Sequence, residues 1–176
     1  MTPEWSRRER LDMIGADERM VEIEADERER AAVAERFGLL LIDRLTASFA
    51  IRREAAGILA RGRVQAAVTQ ACSATGVPIA TTVDDPVALR FVEPVAAGEE
   101  EIELAGDALD TVEIEGGAID LGEAAAETMA LALDPFVRAP GAEAELKAAG
   151  VLTEEEAKPK GALAGLGALL AGKDVN

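Results

Sequence analysis

The chain has 176 residues with 34 Asp and Glu against 18 Lys and Arg, giving a net charge of −16, and it contains no His. One Cys, one Trp, four Phe and no Tyr complete a composition whose 49% hydrophobic content is mostly small and aliphatic. Without His there is no Ser-His-Asp or Cys-His arrangement, a single Cys forms no internal disulfide or CxxC knuckle, and few aromatics remain for stacking on bases.

The length suits one domain with an appendage, and a real core is expected. The polar start of the chain carries no hydrophobic signal region and no apolar run reaches the roughly 20 residues a bilayer span needs, so a soluble cytoplasmic protein without a membrane partner is expected. Residues 1–63 hold twelve Arg against thirteen acids, a net of −1; the remainder holds six basic and twenty-one acidic residues, a net of −15. Such a field repels nucleic acid at long range and favours basic partners. DNA is not expected as a partner, and any RNA contact must be local, through a basic patch on the first part.

In chain order, residues 1–9 read as mobile, with Arg7, Arg8 and Arg10 an exposed basic cluster. Leu11–Ile14 and Met20–Ile23 read as short strands around a Gly15 turn. Asp26, with Glu29 three residues on, forms a capping box for a helix running to Phe37, and Gly38 is a suitable stop. Alternation returns over 43–53, with Leu45, Ala47, Phe49 and Ile51 on one face and Arg44, Thr46, Ser48 and Arg52 on the other.

The most strongly patterned stretch is Gly57–Phe91. Ile58, Ala60, Gly62, Val64, Ala66 and Val68 alternate with Arg61, Arg63, Gln65 and Thr69, and Ser73–Pro78 supplies a turn. The same parity then resumes through Ile79, Val83, Val87, Leu89 and Phe91, as expected of a long hairpin. Asp84-Asp85-Pro86 predicts a bulge or an edge. Residues 93–110 read as an acidic loop, Thr111–Glu115 as a strand and Gly116-Gly117 as a tight turn. Asp120 is the N-cap and Glu123 the N3 residue of a second helix ended by Asp134-Pro135. The expected fold class is α+β: an antiparallel, twisted or partly closed β-sheet meander with two main helices. Residues 1–140 form the domain, and 141–176 an acidic linker and a mobile Leu/Gly-rich C-terminal tail.

Four arginines form the candidate site. Pairing Cys72 with Ile79 sets Arg61 beside Arg90 on the polar face, with Arg52 at the same end and Arg63 one pleat along. Like charges side by side cost stability unless something opposes them. Arg52, Arg61, Arg63 and Arg90 therefore read either as an RNA-binding, phosphate-contacting patch or as ordinary solvated or Glu-paired residues. Cys72 reads as a small core residue, since nothing in the sequence supplies the cationic setting of a reactive thiol. The acidic runs Glu99–Glu101, Glu113/Glu115 and Glu154–Glu156 lack the spacing of a metal loop. They read as solvated surface or as a dock for a basic protein. No metal and no cofactor are expected.

Several segments together resemble the YceD family of bacteria and plastids. They are Gly62-Arg-Val-Gln-Ala-Ala-Val-Thr-Gln-Ala-Cys72-Ser-Ala-Thr75-Gly76-Val-Pro78, the stretch from Val112 through Asp120-Leu-Gly-Glu123, Leu131-Ala-Leu-Asp-Pro135 and Lys158-Pro-Lys160. The N-terminal portion, Glu24-Ala-Asp-Glu-Arg-Glu-Arg-Ala31 with Arg36-Phe-Gly-Leu39, looks like the alphaproteobacterial branch. The resemblance implies a role in accumulation of large-subunit ribosomal RNA, hence in ribosome assembly, and no enzyme activity. Many members carry Cys-x-x-Cys-Gly-x-Pro where this chain has Thr75 in the second place, so no metal or redox role of such a pair applies. The expectation is a non-enzymatic factor promoting 23S rRNA accumulation, an adaptor between a precursor's basic ribosomal protein and rRNA. An acidic protein-binding module unrelated to ribosomes is the alternative.

Overall fold

A computed structural model describes residues 3–94 and 110–151. Its elements run β1 (Arg8–Arg10), a 3-10 turn (Leu11–Met13), β2 (Arg19–Glu24), α1 (Glu27–Phe37), β3 (Leu41–Glu54), β4 (Gly57–Ala71), β5 (Pro78–Val92), β6 (Asp110–Glu113), β7 (Ala118–Asp120), α2 (Leu121–Ala132) and α3 (Ala142–Ala148). The fold is α+β. Five strands form one sheet in the order β2-β3-β4-β5-β6, antiparallel except for the β5–β6 pair, and β1 pairs with β7 separately. The sheet is open rather than partly closed, because β2 and β6 lie at opposite edges and do not pair.

Period-two alternation places the inner face as expected. Leu45, Phe49 and Ile51 of β3, Ile58, Val64 and Val68 of β4, and Val87 and Phe91 of β5 are all buried. Against this face lie Val33 of α1 and Leu121, Ala125 and Met129 of α2, completing one continuous core. Burying a side chain of this size stabilises by roughly 1.5–3 kcal/mol. Gly62 faces Phe49 across the β3–β4 pair, and a Cβ there would fall 1.7 Å from the Ser48 carbonyl oxygen. The two backbones approach too closely at this point for any side chain.

Both helix starts form as read. The Asp26 carboxylate accepts from the Glu29 N–H while the Glu29 carboxylate accepts from the Asp26 N–H. Gly38 ends α1 at φ 66°. Asp120 accepts from the Gly122 and Glu123 N–H groups at the start of α2.

The N-terminus departs from expectation. Residues 3–9 are built into the fold: Trp5 is fully buried in the core, and Asp120 also accepts from the Ser6 hydroxyl and the Arg7 N–H. Leu121 N–H bonds the Arg7 carbonyl, and a Cβ on Gly122 would meet the Trp5 carbonyl at 2.5 Å. The lone Trp supplies enough buried area to hold a segment whose charges alone suggested mobility. Leu11–Met13 turns as a 3-10 helix rather than a strand. Its carbonyl at Leu11 and that of Ile14 both accept from the Arg53 guanidinium.

The hairpin register is shifted by two residues from the expected one. Gln70, not Cys72, faces Ile79, and Arg61 faces Ala88 rather than Arg90. Gly76, at φ 74°, lets the chain turn over Ser73–Gly76 alone, and the Cys72 N–H bonds the Val77 carbonyl at 2.8 Å. A slip of two keeps every side chain on its face and changes only its neighbours. No bulge occurs at Asp84-Asp85-Pro86; the strand runs through it, and among the described residues Pro78–Ala88 form a sheet edge, where proline costs no ladder bond. The irregularity lies at Ile42/Arg44 instead. Beyond α2, residues 142–148 of the expected linker hold α3, with Ala142 buried. The acidic run Glu99–Glu101, the run Glu154–Glu156 and the Leu/Gly-rich tail lie outside the described residues.

Candidate functional site

The outer face of the sheet carries the four arginines, and antiparallel register fixes their neighbours. One row reads Arg52, Leu59, Arg90 across β3, β4 and β5; the next reads Ala50, Arg61, Ala88; the next Ser48, Arg63, Pro86. All four therefore share one surface. Their surroundings divide them.

Arg52 and Arg90 flank Leu59, which is buried although it lies on the outward parity and outside the main core. Long arginine stems cover such a residue, and the Arg90 side chain is itself only 16% exposed. Both guanidinium groups converge on Glu54, at 2.6 Å from Arg52 and 3.7 Å from Arg90, and Glu18 lies 3.9 Å from Arg52. Arg63 donates to the Asp84 carboxylate on the neighbouring strand at 2.8 Å, and Gln65 donates to the same oxygen at 3.3 Å. The Arg63 hydrogen bond, followed by that of Gln65, holds Asp84 below the ordinary carboxylate range. Arg61 is exposed between two alanines and has no ion pair or side-chain hydrogen bond among the described residues.

Three of the four arginines are thus opposed by carboxylates the sequence reading did not select, and Arg61 is separated from Arg90 by the register shift. Glu54 was findable, since residues i and i+2 of a strand share a face and Arg52 precedes it by two. Asp84 was not, because its meeting with Arg63 depends on the two-residue register shift.

A second feature of this face was also missed. Glu22 and Glu24 project outward from β2, opposite Ser48 and Thr46 of β3. With Arg63 and Gln65 on β4 they border an open trough of about 440 Å³ floored by Thr46 and Ser48. Its signal was the outward parity of Glu22 and Glu24 against Val21 and Ile23.

The arginines of the N-terminal cluster are engaged elsewhere. Arg7 makes a two-pronged pair with Glu29 at 2.6 and 2.8 Å, Arg10 pairs with Asp12, and Arg8 donates to the Glu115 and Gly116 carbonyls. Cys72 is buried as expected but lies outside the main core, under the hairpin turn. The Ala139 N–H, 3.3 Å from its sulfur, and then the Thr75 hydroxyl bring its thiol down to about 7. The lowering comes from neutral donors, the Ala139, Ala74 and Thr75 N–H groups and the Thr75 hydroxyl, and not from a cation. Among the described residues no cluster of three metal-ligating side chains occurs, and no helix is long and apolar enough to cross a membrane.

A family model described as "Large ribosomal RNA subunit accumulation protein YceD" matches residues 60–170, well over half of the chain. No curated protein and no solved structure matches it.

Proposed function

The chain belongs to the YceD family, and from that premise we propose that it is a non-enzymatic cytoplasmic factor promoting 23S rRNA accumulation during large-subunit assembly. The observation that carries this reading is the family match itself, and its description names the rRNA process directly. We read the protein as an adaptor on the large-subunit precursor, with an acidic surface that holds a basic ribosomal protein and a small cationic point that meets rRNA. Of the four arginines, Arg61 is the one with its charge uncompensated, so it is the residue assigned to phosphate contact. Arg63, Arg52 and Arg90 support it as the cationic halves of ion pairs that a phosphate would have to compete for.

The test is depletion of the protein followed by comparison of 23S with 16S rRNA, with rescue by the wild-type chain and by Arg61→Glu. Selective loss of 23S on depletion, restored by the wild type, is expected. Unchanged 23S would overturn the reading. Arg61→Glu is expected to fold normally and to rescue less well; full rescue would remove RNA contact from Arg61 while leaving the assembly role.

A further inference from the structure

The trough over β3 is not electrically symmetric. On its β4 wall, Arg63 is drawn away toward Asp84 and its charge is compensated there. On its β2 wall, Glu22 and Glu24 are exposed and neither carboxylate has an ion pair or hydrogen bond among the described residues. The floor is low and polar: the Ser48 hydroxyl has no hydrogen-bond partner among the described residues, and the Thr46 hydroxyl has only a long 3.5 Å contact with the Gln65 carbonyl. A trough of this kind repels phosphate and leaves main-chain room above its short side chains.

We propose that this trough is a docking site for an extended, cation-bearing segment of a partner protein, with Lys or Arg at alternate positions. The proposal rests on the adaptor reading above and locates its protein contact. Charge complementarity selects the occupant. Glu22 and Glu24 stand two residues apart on one face of a strand, a separation of about 7 Å. An extended segment running over β3 presents every second side chain to the same wall at that spacing. The Thr46 and Ser48 hydroxyls meet its backbone. Met20, exposed on the same face of β2 and in the row that holds Arg61, meets an apolar residue at one end. A basic protein segment here and a phosphate at Arg61 would be neighbours on one surface.

The test titrates the full chain with a synthetic peptide of alternating Arg and Thr, read by calorimetry and by amide shifts. Shifts are expected at Thr46, Ser48 and Gln65. Glu22→Gln with Glu24→Gln is expected to weaken binding about three- to tenfold, as fits two exposed ion pairs. Ser48→Trp, which fills the floor without altering charge, is expected to weaken it as well. Glu143→Gln with Glu145→Gln, two exposed acids on α3, is expected to leave binding unchanged. Equal losses from both acid pairs would mean general attraction to a chain of net charge −16 and would overturn the site. So would shifts of the Thr46 and Ser48 amides by single-stranded RNA in place of the peptide. If the trough variants lose the peptide yet restore 23S rRNA in depleted cells, the docking site stands and the adaptor reading falls.

Discussion

On the covered side of the sheet, arginines tie the helices to each other and to the N-terminal segment; on the open side they pair with carboxylates at the strand ends, on a neighbouring strand or just before β2. Arg36 of α1 reaches Glu123 of α2 at 2.8 Å and Glu4 of the N-terminal segment at 3.0 Å, and Arg7 holds Glu29 at the start of α1. These pairs tie three segments into one layer over the core, and the guanidinium of Arg36 is held well above its ordinary pKa, chiefly by its hydrogen bonds to Glu123. On the outer face Arg52 and Arg90 meet Glu54, Arg63 meets Asp84 across the hairpin, and Arg61 has no ion pair among the described residues. The same residue type therefore fastens the fold on one side and, at Arg61, stays available on the other. Arg36 and Arg63 mark the extremes: the first makes half-buried pairs between segments far apart in sequence, the second an exposed pair between neighbouring strands.

The sharpest way to break this contrast is to remove what holds the covered layer in place. Trp5→Ala is expected to cost about 3–5 kcal/mol, because it empties a fully buried site that anchors the N-terminal segment. Urea unfolding followed by circular dichroism measures it, and a cost under about 1 kcal/mol would show that residues 3–9 are dispensable to the fold.

A matched pair of arginines tests the contrast more finely. Arg36→Met is expected to lose about 1–2 kcal/mol, since Glu4 and Glu123 are left facing each other half-buried. Arg61→Met should stay within about 0.5 kcal/mol of the wild type in the same assay. Equal losses would erase the distinction between the two sides.

The smallest effect is a pH dependence. Hydrogen bonds from Arg7 hold Glu29 below the usual carboxylate range. A carboxylate lowered by folding stabilises the native state fully above its unfolded pKa, about 4.3, and that stabilisation is lost as pH falls through the lower folded value. Arg7→Met removes the lowering, so acid unfolding should begin at a higher pH, read by circular dichroism between about pH 5 and 2. Asp84 is lowered in the same direction by Arg63, but on an exposed surface, so Arg63→Met should leave the acid midpoint where it is.

Much of this fold could be read in advance. Alternation at Leu45–Ile51, Ile58–Val68 and Val83–Phe91 gave three strands with the correct inner face, and local signals at Asp26, Gly38 and Asp120 placed both main helices. These signals are short-range, set by backbone geometry and by side chains three or four residues apart. The grouping of Arg52, Arg61, Arg63 and Arg90 on one face was legible for the same reason. Their individual environments were not. A hairpin loop shorter by two residues moved Arg90 from Arg61 to Leu59, and parity carries no information about such a slip.

By itself, then, the sequence determined the strand faces, the helix caps and the absence of His and paired Cys, because each depends on residue identity or on neighbours within a few positions. Only the tertiary structure decided that Trp5 holds the N-terminus in the core, which arginines are neutralised, and that Glu22 and Glu24 border a trough with Thr46 and Ser48. Those outcomes depend on register and on contacts between segments 20 to more than 100 residues apart, as in the Arg7–Glu29 and Ser6–Asp120 bonds. There the free energy is set by which surfaces meet, and local propensity does not encode that.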